Sequence, residues 1–213
     1  MVSAYTEQEE LEKLAAWWKE YGNSVIAGIL LGVALLAGVR YWTHYQEERR
    51  EGAAALYEQM LQDLRQHKAE AARGSGAKLL GDYAATPYAG LAALMLARQS
   101  IEAGDRPAAR AHLQWALEHA ADPAIVHAAR LRLARMLVDA GELDAAAALA
   151  NVKETAGFEA EYQELRGDLL AKQGKRAEAR AAYAAALKDL PSGSPYRPVL
   201  AAKLDDLGAE PAP

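Results

Sequence analysis

Reactive side chains are sparse in this chain and poorly arranged for catalysis. The five histidines are His44, His67, His112, His119 and His127. His112 and His119 stand seven residues apart, which on one helix separates their Cα atoms by roughly 10 Å. One metal ion does not readily bridge that gap, so the histidines are read as surface residues. The chain has no cysteine, which excludes disulfides, thiol catalysis and thiolate-held metals. That absence suits an oxidising compartment without proving one. No His-Glu-x-x-His, phosphate-binding loop or Gly-x-Ser-x-Gly sequence occurs. Glu9-Glu10 reads as a solvated helix face, and Thr6 followed by Glu9 as a capping box. Arg130, Arg132 and Arg135 form a basic cluster on one helix, expected to pair with Asp139 and Glu142. No catalytic, cofactor-binding or metal site is predicted. The chemistry left to the chain is recognition.

Composition agrees. With 24 Lys+Arg against 29 Asp+Glu the formal net charge is -5, against the basic excess a nucleic-acid partner requires. A hydrophobic share of 52% is too high for a disordered acidic chain. Alanine fills 50 of 213 positions while Phe occurs once. Alanine is the best helix former and a poor strand former, so the expected fold is all-α with closely packed helices.

One stretch sets the setting in which those helices work. Tyr21 to Val39 is 19 residues without a charge. At the helical rise this covers roughly 28 Å, close to the hydrocarbon thickness of a bilayer. Trp17, Trp18 and Tyr21 flank one end, and Tyr41, Trp42 and Tyr45 the other, as an interfacial aromatic belt requires. Lys19 and Arg40 close the segment and are placed to snorkel. A cleaved signal peptide is disfavoured, because the stretch follows an acidic leader and no clean small-residue cleavage site appears. A soluble core helix would leave the aromatic clusters and charge boundaries without a reason. A single transmembrane helix over 21–42 is therefore expected. Within it Ser24, Gly28 and Gly32 recur every four residues, a small-residue face for helix–helix packing in lipid. The Lys/Arg counts on the two sides are nearly equal and do not orient the span.

Around the span the chain divides into further parts. Residues 1–20 form an acidic amphipathic head, with Leu11, Leu14, Ala15 and Trp18 at helical spacing. Residues 43–76 read as a long linker helix ended by a flexible Gly74-Ser75-Gly76 break. A short helix is expected over 77–85, and Pro87 opens a new unit. Residues 77–208 then read as a repeat domain and 209–213 as a frayed tail. Gly104, Gly141 and Gly174 each separate two apolar-periodic runs, at intervals of 37 and 33, a helix-turn-helix repeat period. Against the tetratricopeptide pattern, Gly167, Gly174, Ala179, Tyr183, Ala186 and Pro191 fall at its characteristic small, turn, aromatic and terminating positions. The first unit keeps Ala97, Gly104, Ala109, Leu113 and Ala116. The second keeps Ala134, Gly141 and Ala146 but has Lys153 where a small residue belongs, so its second helix is expected to be short. Ser194 to Leu207 supplies a capping helix. About three helix pairs plus a cap suffice for a stable stack.

In such repeats the first helix of each pair lines a concave face. The inward positions here are Leu91, Leu94, Arg98, Ile101 and Glu102, then Ala128, Leu131, Arg135, Val138 and Asp139, then Glu161, Glu164, Asp168, Ala171 and Lys172. The expectation is a hydrophobic peptide groove with a charged rim, acidic at the third unit, fit for an unfolded segment or an apolar helix. Whether it stands open or is filled by the 43–73 helix is left open.

The order of parts resembles the YfgM-type family of ancillary SecYEG translocon subunits. The resemblance rests on Trp17-Trp18-Lys19-Glu20-Tyr21-Gly22, Ala27-Gly28-Ile29-Leu30-Leu31-Gly32-Val33, Val39-Arg40-Tyr41-Trp42, Leu131-Arg132-Leu133-Ala134-Arg135 and Leu165-Arg166-Gly167-Asp168. It implies a single-pass protein of the bacterial inner membrane, N-terminus cytoplasmic and repeat domain periplasmic. It further implies association with the SecYEG translocon and with a membrane-anchored peptidyl-prolyl isomerase-like chaperone. The implied role is to help pass unfolded secretory clients to the periplasmic chaperone network. The alternative is a structural scaffold for envelope assembly or cell division with no chaperone role.

Overall fold

The computed structural model describes the backbone of residues 3–208 and the side chains of Glu9 and of residues 11–208. The helix expected to be capped at Thr6 already begins at Ser3, so Thr6 lies within it, and the 209–213 tail lies outside the described residues. Every regular element among the described residues is a helix. In chain order these are α1 (Ser3–Arg65), α2 (Ala69–Asp82), α3 (Pro87–Glu102), α4 (Arg106–His119), α5 (Pro123–Ala140), α6 (Leu143–Ala150), α7 (Glu159–Lys172), α8 (Arg176–Asp189) and α9 (Arg197–Asp206). The chain divides into two compact units, 1–51 and 52–213.

The first unit is helical throughout its described length. It carries the apolar stretch that makes α1 the one helix, among the described residues, long and apolar enough to cross a membrane. A mere 6% of its most apolar window is buried, the reverse of a soluble core helix. Leu30, Leu31, Leu35 and Leu36 all face outward.

The second unit is a series of helix hairpins, α3/α4, α5/α6 and α7/α8, followed by α9. Their turns share one geometry. Gly104, Gly141 and Gly174 sit at φ +77, +80 and +76. At each, the glycine N–H donates to the carbonyl three residues back and the next N–H to the carbonyl five back, as Glu142 N–H does to Leu137 at 2.9 Å. This pair of hydrogen bonds closes a helix end through a residue in the left-handed conformation, which glycine adopts without steric cost. The helix of the second pair that was expected to be short, α6, spans 8 residues.

A fourth hairpin precedes these three, where a long linker helix ended by a Gly-Ser-Gly break was expected. α1 ends at Arg65, not near Arg73, and Gly74-Ser75-Gly76 is no break: it lies inside α2, with Ser75 and Gly76 buried. The real turn is at His67, whose φ is +58. Its bonds repeat the pattern: His67 N–H to Leu64 at 3.1 Å and Lys68 N–H to Asp63 at 2.8 Å. His67 stands 37 residues before Gly104, the spacing between Gly104 and Gly141. The small residue at the fourth position of each second helix is then Ala72, Ala109, Ala146 and Ala179, all fully buried. Gly76 is small because Leu96 fills its place; a Cβ there would lie 2.9 Å from the Leu96 methyls. The stretch from Ala53 to Leu64 therefore extends the stack. Ala53 and Met60 pack with Ala72, Leu79, Ala92 and Leu96, which answers the open alternative that this helix fills the groove.

Candidate peptide groove

Close packing decides what the inner face presents. With alanine or glycine at the crossing points, neighbouring hairpins approach until larger side chains between them are enclosed. Leu94, Leu131 and Val138, expected to line the groove, are instead buried at 8%, 3% and 5% exposure in one cluster with Ala134, Tyr162, Leu165 and Leu169. Leu91 is half-buried against the same cluster. Of the apolar candidates only Ile101 is open, at 48%. What remains on the inner face is largely charge.

The acidic end is closed. Glu164 is 1% exposed and accepts three hydrogen bonds: Arg135 Nη2 at 2.9 Å, Lys203 Nζ at 2.7 Å and Tyr196 Oη at 2.7 Å. Asp168 accepts from Lys203 Nζ at 2.7 Å and Tyr183 Oη at 2.7 Å. Burial by itself would raise the Glu164 pKa, but the donors Lys203 and Tyr196 and the charge of Arg135 overturn it and hold it below the ordinary range. Lys203 shows the mirror case: burial would lower it, yet Asp168 and Glu164 raise it. Burial, then the Asp168 carboxylate, pushes the Tyr183 phenol strongly upward. An apolar anchor accompanies the charges, since Leu200 is buried with Tyr183 and Ala186. Arg180 Nη1 further donates to the Gly208 carbonyl. The sequence placed the cap but not Lys203, Tyr196 or Tyr183 in this cluster. The available signal was Glu164 and Asp168 one turn apart on an inward face, which demands a cation opposite.

Beside this cluster lies a cavity of about 430 Å³ lined by Arg135, Val138, Asp139, Asp168, Lys172 and Lys203, among others. A smaller apolar notch of about 290 Å³ sits between Pro107, Leu133, Met136 and Leu137, rimmed by Arg106, Arg110 and Glu142.

The basic cluster also departs from expectation. Glu142 is taken by Arg110 Nη1 at 3.0 Å and Arg135 by Glu164. Among the described residues Asp139 joins no ion pair with the cluster. Arg98 Nε donates to Glu102 at 2.8 Å. Partial desolvation, then the charges of Arg135 and Arg98, hold Arg132 below the ordinary arginine range.

The histidines are mixed. His127 is buried, contrary to expectation. It shares a 2.8 Å hydrogen bond with the Tyr162 hydroxyl and stacks on Phe158. Burial, then Arg130, lowers its pKa. No group of ligating side chains able to hold a metal occurs among the described residues.

In the first unit, Trp17, Trp18, Tyr21, Tyr41 and Trp42 are exposed. The Trp17 and Tyr21 rings lie tilted to each other with centroids 5.9 Å apart, and those of Trp42 and Tyr45 likewise at 6.2 Å. An added Cβ at Gly28 or Gly32 meets nothing within 4 Å, and Ser24 is exposed beside them, so this small-residue face is open.

Over residues 15–209 the chain matches the tetratricopeptide repeat-like domain family. It is similar to proteins called ancillary SecYEG translocon subunit in several bacteria. The Haemophilus influenzae protein is 30% identical over 86% of this chain and 89% of its own length. The Neisseria gonorrhoeae protein is 30% identical over 97% of this chain and 100% of its own. The Escherichia coli protein is 29% identical over 85% and 87%. No solved structure matches.

Proposed function

Because the chain belongs to the tetratricopeptide repeat-like family of ancillary SecYEG translocon subunits, we propose that it is a membrane-anchored interaction protein of that translocon. It acts without catalysis and helps pass secreted proteins to the periplasmic chaperone network. The exposed apolar stretch of α1 carries this reading and fits a single-pass protein of the inner membrane. Aromatic side chains at both ends of the stretch set its depth.

The mechanism is tethering. A span in the bilayer confines the repeat unit to the membrane surface beside the channel. Confinement raises the effective concentration of the unit for emerging clients and for a membrane-anchored isomerase-like chaperone, so weak contacts suffice. The head lies in the cytoplasm and the repeats in the periplasm. A reporter fused to the C terminus that is active only in the periplasm tests that orientation.

The function itself is tested by a photo-crosslinking residue at Ile101, the exposed apolar position of the inner face, in cells exporting a stalled secretory chain. Crosslinks to the nascent chain support the reading. Crosslinks to fixed envelope partners alone overturn it in favour of a structural scaffold.

A further inference from the structure

We infer that the inner face of the repeat unit at Arg98, Arg132 and Ile101 docks an acidic protein segment carrying an apolar side chain next to its carboxylates. This goes beyond translocon association and does not depend on it.

The face is built by two neighbouring first helices. Arg98 on α3 and Arg132 on α5 project from helices that pack directly, whose axes are thus about 10 Å apart. Among the described residues Arg132 forms no ion pair, although it lies within the field of Arg98 and Arg135. Arg98 uses its Nε for Glu102 and leaves both Nη groups without a hydrogen bond among the described residues. Arg135 is already spent on buried Glu164. The Arg98 and Arg132 guanidiniums therefore lie within each other's field, answered by the single exposed carboxylate of Glu102 on the Arg98 Nε, on a chain whose net charge is -5.

Like charges held together in this way are relieved by a bridging anion, and a planar guanidinium binds a carboxylate through two parallel bonds. Ile101 lies one turn beyond Arg98 on α3 and is 48% exposed. Half-buried Leu91 lies on the other side, two turns before Arg98. Basic and apolar side chains thus alternate along the face. An isolated phosphate would use the charge and waste Ile101; an apolar helix would leave Arg132 desolvated and unpaired. Carboxylates flanking a leucine or phenylalanine use both. The acidic far end of the face, already closed by Lys203, gives such a segment a boundary.

The test uses the full chain in detergent micelles and a fluorescent twelve-residue peptide that alternates glutamate with leucine. Its glutamine and lysine counterparts serve as controls, with inorganic pyrophosphate and anionic phosphatidylglycerol vesicles as competing anions. Anisotropy should show binding of the glutamate peptide at least tenfold tighter than of the glutamine peptide. Arg98→Glu/Arg132→Glu should weaken it at least tenfold and favour the lysine peptide, with unchanged circular dichroism. Ile101→Ser should weaken it severalfold, a loss that pure charge attraction would not give. Equal binding of the glutamate and glutamine peptides would overturn the inference. So would displacement of the peptide by pyrophosphate or vesicles at equal charge, which would mark a plain anion or lipid site. Concentration-dependent dimerisation that the double variant abolishes would also overturn it, by giving the face to a second copy.

Discussion

Lys203 Nζ on α9 lies 2.7 Å from Glu164 Oε1 and 2.7 Å from Asp168 Oδ1 on α7, so one ammonium joins the last helix to the third hairpin through two carboxylates. Breaking this junction by Glu164→Ala removes the shared acceptor of Arg135, Tyr196 and Lys203. Loss of one partner of a fully buried pair costs about 3–5 kcal/mol. Lys203 and Arg135 keep roughly a third of their side-chain surface in water, so a smaller loss of about 2–3 kcal/mol is expected, or about 5–10 °C in Tm. Thermal melting in detergent measures it.

The same junction sets a pH window. The Glu164 pKa is held below the ordinary 4.5 in the fold. Its stabilisation is therefore complete above that pH and lost as pH falls through the folded value. The Lys203 pKa is raised above 10.5, so its share is complete below that pH and lost as pH rises through the folded value. Glu164→Gln should flatten the fall of Tm on acidification below the ordinary carboxylate value. Unchanged acid sensitivity would assign that fall to other groups.

His127 gives a separate acid response. Its folded pKa is lowered from 6.5, so its stabilisation is full above that pH and lost as pH falls below it. His127→Gln keeps a hydrogen-bonding partner for Tyr162 and should remove the slope of stability in that region. Tyr162→Phe leaves the buried ring nitrogen unpaired and should cost about 1–3 kcal/mol by denaturant titration.

Gly167 and Tyr183 are tightly coupled. A Cβ at Gly167 would sit 2.3 Å from Tyr183 Cε1, so Gly167→Ala should destabilise by about 1–3 kcal/mol through overpacking. In a double-mutant cycle with Tyr183→Ala the two losses should be clearly less than additive, because the second change removes the ring that the first one strikes.

The turn at His67 makes the early hairpin testable. A non-glycine residue at a left-handed φ costs about 1–2 kcal/mol. His67→Gly should therefore raise Tm by a few degrees, part of the gain being offset by the greater freedom of glycine in the unfolded chain. His67→Val should lower it. Insensitivity to both would argue against a hairpin closed there.

Periodicity made most of the fold legible, because three of the four turns use glycine and glycine is visible in a sequence. The fourth turn uses His67, whose left-handed backbone has no compositional signature. Gly74-Ser75-Gly76 then looked like the missing break, although small residues there serve helix contact with Leu96. The inner face was legible as a set of positions but not as a surface. Spacing alone says which side Leu131 and Val138 face; it does not say that alanine crossings bring the next helix close enough to cover them. Glu164 and Asp168 were visible as an acidic pair, while their partner Lys203 comes from 39 and 35 residues away, a distance that no local pattern spans.

The proposed function makes this chain an anchored partner of the secretory channel. Affinity isolation of the tagged full chain from bacterial membranes in mild detergent, followed by quantitation of the channel subunit SecY, tests it most directly. SecY should co-elute in an amount comparable to the intact chain. Recovery of the intact, solubilised chain free of SecY would rule out that partnership.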